Sequence, residues 1–139
     1  METRTFEKTE RQMSFDGESL LQINFGHATE HEEESTRLAE WVRDSFAEMT
    51  KGKSGPFYVI ADMQNLDDST SPSEEAKEIY SHDLLGNESI DHFVFVTKSL
   101  GMKMLLELLV TISGKRKRIS VVHKMEETEE LYKKWQKEK

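Results

Sequence analysis

Phe57-Tyr58-Val59-Ile60-Ala61-Asp62 is a run of five apolar side chains closed by an acid. A half-buried strand alternates apolar and polar residues. An unbroken apolar run this short reads instead as a strand covered on both faces. Gly55-Pro56 before it and a polar loop over 63–70 after it set its limits. Phe93-Val94-Phe95-Val96-Thr97 repeats the pattern. Two buried strands with a helix-forming stretch between them imply a parallel sheet, because only a crossover can join parallel neighbours.

Working outward toward the N-terminus, a helix is expected from Thr29. Thr29 and Glu32 form a capping box, and Glu30, Glu32, Glu33 and Glu34 suit the positive end of the helix dipole. Leu38, Trp41, Val42, Phe46 and Met49 recur at helical spacing, and Gly52 ends the segment. Before it, Thr5–Phe15 reads as one strand. Asp16-Gly17 supplies a hairpin turn, and Leu20, Leu21, Ile23 and Phe25 form the second strand.

Toward the C-terminus, Ser71-Pro72-Ser73-Glu74 reads as a second capping box, with Ser71 at the cap and Pro72 at the first helical position. That helix buries Ala76, Ile79, Tyr80 and Leu84 and ends at Gly86-Asn87. Ser99 caps a third helix through Ser113, Ile119–Val122 is a short strand, and Met125, Leu131, Tyr132 and Trp135 share one face of a closing helix. The expected fold is one α/β domain over 1–139. It has a mostly parallel five-stranded sheet, an N-terminal β-hairpin and four helices.

The 139 residues hold no cysteine, which excludes disulfide scaffolds, thiolate metal sites and a thiol nucleophile. The net charge of −8 argues against nucleic acid as a partner. No apolar run is long enough to span a membrane and no secretory leader is evident, so a cytoplasmic protein is expected. Charge is polarised: residues 1–97 carry 8 basic and 21 acidic side chains, residues 98–139 carry 11 and 6. That asymmetry suits association with a partner of one sign or with a second copy of the chain.

Three clusters are candidates for function. His27-Ala28-Thr29-Glu30-His31 matches H-x-x-E-H, the inverted zinc-peptidase motif, whose chemistry needs both imidazoles on one helical face. Because the helix is expected to begin at Thr29, His27 falls outside it, and no metal or other cofactor is expected. Lys115, Arg116, Lys117 and Arg118 form a basic cluster, read either as a helix C-terminal cap or as a docking patch for an acidic partner. On the third helix Lys103, Glu107 and Thr111 share a narrow polar face, and apolar residues fill about 240° of the remaining arc. Packing on one sheet needs only ~100°. The surplus, assigned to Met102, Leu106, Leu109 and Val110, is expected to meet a neighbouring helix, an apolar ligand or a homodimer partner.

From Phe57 to Trp135 the order of these pieces resembles the SpoIIAA-like division of the STAS superfamily, which shares its fold group with lipid-binding Sec14-type domains. The matching pieces are VIADMQNL, Ser73-Glu74-Glu75-Ala76-Lys77, FVFVT followed by Lys98-Ser99-Leu100, the Met/Leu-rich helix, and EETEELYKKW. The resemblance implies a non-enzymatic regulatory or ligand-sensing module that binds a protein partner or a small apolar ligand. A Sec14-like carrier of lipid or another apolar ligand is the alternative. It also implies a phosphorylatable serine in the turn Asp67–Ser73, with Ser69, Ser71 and Ser73 in place. The glycine of the family's D-S-S-G-like turn is absent here, and the same serines read equally as helix caps.

Overall fold

A computed structural model describes residues 2–27, 29, 31–66, 72–113 and 118–138, the side chains of 109, 110, 112 and 113 excepted. Six strands form one sheet: β1 (Glu2–Thr5), β2 (Gln12–Phe15), β3 (Leu20–Asn24), β4 (Phe57–Asp62), β5 (Ile90–Val96) and β6 (Ile119–Val122). Four helices accompany them. They are α1 (Glu32–Met49), α2 (Glu74–Glu78, continued by a π-helical segment Ile79–Leu84), α3 (Leu100–Ser113) and α4 (Met125–Glu138). The sheet runs in the order β1-β2-β3-β4-β5-β6. The first two pairings are antiparallel and the last three parallel.

The apolar run in β4 is shared out residue by residue. Phe57, Val59 and Ala61 face one core, together with Phe93 and Phe95 of β5. Leu38, Val42 and Phe46 of α1, Leu84 of the π segment, and Met102 and Leu106 of α3 cover that face. Tyr58 and Ile60 face the other core with Val94 and Val96, where Leu131, Tyr132 and Trp135 of α4 meet them. Two-sided burial is why the strand reads as continuous rather than alternating.

Two boundaries differ from the sequence reading. The segment expected as one strand over Thr5–Phe15 is a hairpin: β1 and β2 pair in register Glu2 with Phe15 through Thr5 with Gln12. Its turn has Glu7 at φ 49° and is closed by Phe6 N–H to Arg11 O, with the Thr9 hydroxyl donating to Phe6 O. This brings the sheet to six strands. The turn at Asp16-Gly17 lies where expected, with Asp16 Oδ1 accepting from the amides of Glu18, Ser19 and Leu20. Helix α1 begins at Glu32, not at Thr29, with His31 in extended conformation at the cap position. Before it, the backbone at Phe25 and His27 is tied to the first hairpin: Arg11 donates to the carbonyls of Phe25 and His27, and the Glu10 carboxylate accepts from the His27 amide.

On the α4 face an aromatic cluster forms around Tyr58. His92 stacks on it at 5.2 Å, and Tyr132 and Trp135 approach at 5.1 and 5.2 Å. Trp135 Nε1 donates to Asp91 Oδ2 at 2.7 Å, and the Tyr132 and Ser19 hydroxyls share a hydrogen bond at 3.1 Å. The Tyr58 hydroxyl is buried with no hydrogen-bond partner among the described residues, and burial pushes its pKa up to about 12. A buried unpaired hydroxyl costs ~1–3 kcal/mol. Tyr58→Phe keeps the ring contacts and should raise stability by about 1 kcal/mol, read as a higher urea midpoint at unchanged slope. A lowered midpoint would show that the hydroxyl is engaged.

Candidate functional site

In open α/β sheets ligands bind beyond the carboxyl ends of the parallel strands, where the following helices begin. Here those ends are tied together: Phe25 N–H donates to Asp62 O at 3.1 Å and Met63 N–H to Val96 O at 2.8 Å. Just past them the N-terminal turns of α1 and α3, with Pro72 before α2 and Tyr80 of the π-helical segment, enclose a cleft open to solvent on one side. Its walls include Phe25, Leu38, Met63, Tyr80, Met102 and Leu105. Its free volume is about 60 Å³. A second void of about 40 Å³ lies beneath it, lined by Ile23, Ala61, Leu84, Phe93 and others. Phe25, Met63, Tyr80 and Leu106 belong to both. One water needs ~10–15 Å³ of such volume, so each void admits several small groups.

Arg11, which the sequence reading did not single out, holds the mouth in place. Only 5% exposed, it donates from Nε to Phe25 O at 3.2 Å and from Nη2 to His27 O at 2.8 Å. Glu34 Oε1 lies 3.5 Å from Nη2 and the Phe6 ring 5.9 Å from the guanidinium. The sequence gives no sign of this, because the partners lie 14 to 23 positions away. Beside it, the Glu10 carboxylate accepts from the His27 amide and pairs with its Nδ1, both at 3.0 Å. The backbone bond is the main reason that its pKa is lowered to about 2. Gly26 makes this approach possible. Its φ is +60°, and an added Cβ would sit 2.8 Å from Glu10 Cγ.

Of the serines, Ser73 caps α2, accepting from Ala76 N–H at 3.1 Å. The cap was expected at Ser71. Ser73 takes the position because α1 supplies its other partners: the Thr36 hydroxyl lies 2.7 Å from Ser73 Oγ, and Ser73 N–H donates to Ser35 Oγ at 3.0 Å. At 3% exposure Ser73 is a structural cap rather than an accessible switch. Ser69 and Ser71 lie outside the described residues, as do Glu30, Lys115, Arg116 and Lys117. Arg118 is exposed and pairs with Asp91 at 3.5 Å.

The assignment of an interaction surface on α3 needs correction. Ser99 caps the helix as expected, accepting from Met102 N–H at 3.0 Å. Met102 and Leu106 are not on an outer face: they are 3% and 1% exposed, and they pack in the core where they border the cleft. The side chains of Leu109 and Val110 are outside the described residues. The outer stripe is Leu100, Met104 and Leu108, at 70%, 63% and 53% exposure.

His27 lies at the mouth, before α1, so the helical pairing that H-x-x-E-H requires is not formed. Among the described residues no group of three or more His, Asp or Glu is placed to hold a metal ion, and no helix is long and apolar enough to cross a membrane. On the opposite face two shallower grooves of about 260 Å³ each run along α4 and the outer face of β2 and β3. Gln12, Ser14, Gln22 and Asn24 line them, the polar side that strand alternation turns to water. Comparison with family models, curated proteins and solved structures finds no match to the chain.

Ser73→Ala removes an α2 cap and the Thr36 partner together. It should cost about 1–2 kcal/mol, measured by urea denaturation. An unchanged midpoint would overturn the cap assignment.

Proposed function

We propose that this chain is a non-enzymatic regulatory or ligand-sensing module, of the SpoIIAA-like STAS kind that its sequence resembles, and that it takes a small apolar ligand. The observation that carries this is the apolar cleft at the carboxyl ends of β3 and β4, backed by a second apolar void. A concave, apolar lining is the usual form of a small-molecule pocket, and at about 60 Å³, against the usual ~300–1,000 Å³, this one suits only a very small ligand. Of the polar groups around its mouth, Arg11 is engaged on two carbonyls, Glu10 on His27 and Ser35 on Ser73. A Sec14-like carrier fits less well, since the cleft and the void beneath it offer only about 60 and 40 Å³ of free volume, well short of even an ordinary small-molecule pocket at ~300–1,000 Å³. A zinc hydrolase built on His27, Glu30 and His31 fits least, for lack of the helical pairing.

Benzene is a suitable first probe: it is a very small apolar ring that fills enclosed voids of ~150 Å³, and the cleft, with about 60 Å³ free, is open on one side so the ring need not be fully enclosed. A ligand at tenfold its Kd stabilises the native state by RT ln 11, which should raise Tm by about 3–5 °C. Leu105→Trp fills the mouth and should abolish the rise. A wild type whose melting is indifferent to saturating benzene would end this reading.

One observation favours a protein partner as well. Leu100, Met104 and Leu108 stand one above another on α3, exposed, on the outer side of the helix that walls the cleft. A second copy of the chain is the occupant that its polarised charge suits best. Met104→Glu lies on the outer stripe, so the fold should survive it while a dimer comes apart in light scattering. A wild type that stays monomeric at millimolar concentration would sink self-association and leave the cleft untouched.

A further inference from the structure

The exposed stripe on α3 and the cleft beside it are two parts of one surface. With 3.6 residues per turn, Leu108, Met104 and Leu100 lie about 60°, 100° and 140° round the helix from Leu105, on the side away from the buried Met102 and Leu106. Leu105 is half-buried and walls the cleft. Exposure then climbs from 53% at Leu108 to 63% at Met104 and 70% at Leu100. The apolar surface thus leaves the cleft over Leu105 and continues round α3. Lys103 and Glu107, both exposed, border it on the flank away from the cleft. The cleft itself has the capacity of a single anchoring side chain. Its free volume is about 60 Å³. At ~10–15 Å³ for each water-sized group, that is room for about four to six heavy atoms, the scale of one leucine side chain. An aliphatic side chain in a small desolvated pocket is a common anchor of an interface.

Ridge and notch lie side by side on one chain, which is what a two-fold contact between identical copies requires. The bordering charges fix its direction. In an antiparallel two-fold pair of helices, each flank faces the same flank of the other copy with its ends reversed. Lys103 and Glu107 stand one turn apart on one flank, so an antiparallel copy sets each beside its opposite. A parallel copy would set this charged flank against the apolar one. On the cleft flank the nearest member of the stripe is Leu108. A contact centred on Met104 brings Leu108 of the second copy level with the N-terminal turns of α3, where the cleft lies. We propose that α3 packs antiparallel on α3 of a second copy, that Leu108 of each copy seats in the cleft of the other, and that a small apolar ligand competes for that seat and releases the monomer. The proposal rests on both readings given above, the apolar cleft and the self-associating stripe, and supplies the link between them. Ligand sensing thereby gains an output, because an occupied cleft leaves the anchor no place.

The dimer constant is measured by analytical ultracentrifugation. The contact is read from isotope-filtered NOEs in a mixed dimer, one copy labelled in its leucine methyls and the other unlabelled. The expected NOEs run from the Leu108 methyls of the labelled copy to the Phe25 and Tyr80 rings of the other. Leu108→Ala should remove them and weaken the dimer at least ~tenfold, with the circular dichroism of the monomer unchanged because the side chain is more than half exposed. Lys103→Glu should weaken the dimer, and Lys103→Glu with Glu107→Lys should restore it. Benzene at tenfold its Kd must be expelled from both clefts before a dimer forms, so the apparent dimer Kd should rise about a hundredfold. A wild type that stays monomeric at millimolar concentration ends the proposal together with self-association and leaves the cleft reading standing. A dimer without the Leu108 contacts, or one that survives Leu108→Ala at full strength, overturns the seat while self-association stands. A double exchange that fails to restore the dimer overturns the antiparallel arrangement. Benzene that raises Tm while the dimer constant stays put overturns the competition.

Discussion

Everything in this molecule depends on β4 being buried on both faces. A strand in that position must supply apolar side chains to two cores at once, and Phe57–Ala61 does so without interruption. The two faces are not equivalent. Toward Phe57, Val59 and Ala61 lie three helices, whose first turns converge at the carboxyl ends of the strands. Toward Tyr58 and Ile60 lies one helix, anchored by Trp135 and Tyr132. Asymmetric cover leaves a cleft on the crowded face, because three helix ends cannot close perfectly over a twisted sheet edge. On the other it leaves two open grooves beside α4.

The rim of that cleft is assembled from distant parts of the chain. Arg11 on the first hairpin fixes the carbonyls that follow β3, and Ser73 binds α2 to Ser35 and Thr36 of α1. Removing a buried cation's partners leaves its charge unpaired, which is far more costly than the net worth of the pair. The hairpin is thus part of the site's frame, although it contributes no wall to the cavity.

The elements governed by short-range chemistry were legible. Asp16-Gly17 marks its hairpin, Ser99 its helix, and the Phe57–Asp62 run its strand from end to end. What escaped was set by tertiary contacts. The Phe6–Arg11 turn has no glycine, proline or asparagine to announce it, only a threonine hydroxyl and one left-handed glutamate. Thr29 has good capping chemistry, but the chain just before it is tied to Arg11 and Glu10 at Phe25 and His27, and the helix starts only at Glu32. Of two serines able to cap α2, Ser73 wins because another helix offers it partners. A helical wheel gave the width of the apolar arc on α3 but not its bearing on the sheet. Met102 and Leu106 therefore proved to be core, and Leu100, Met104 and Leu108 the outer stripe. Tyr80 and Arg11 were invisible as site residues because nothing in their immediate neighbours distinguishes them.

The strand order has a bearing on how the chain reaches its native state. Each strand pairs with the one just before it in sequence, so the sheet can grow from one side as synthesis proceeds, every βα unit meeting an edge already laid down. The antiparallel pairings at the N-terminal edge close short loops, whereas the parallel ones join strands separated by a whole helix and form more slowly. The second face is covered last. Tyr58, Ile60, Val94 and Val96 wait uncovered until α4, which follows all six strands in the sequence, folds back over them. Until α4 docks, that face is the kind of apolar sheet surface on which aggregation begins.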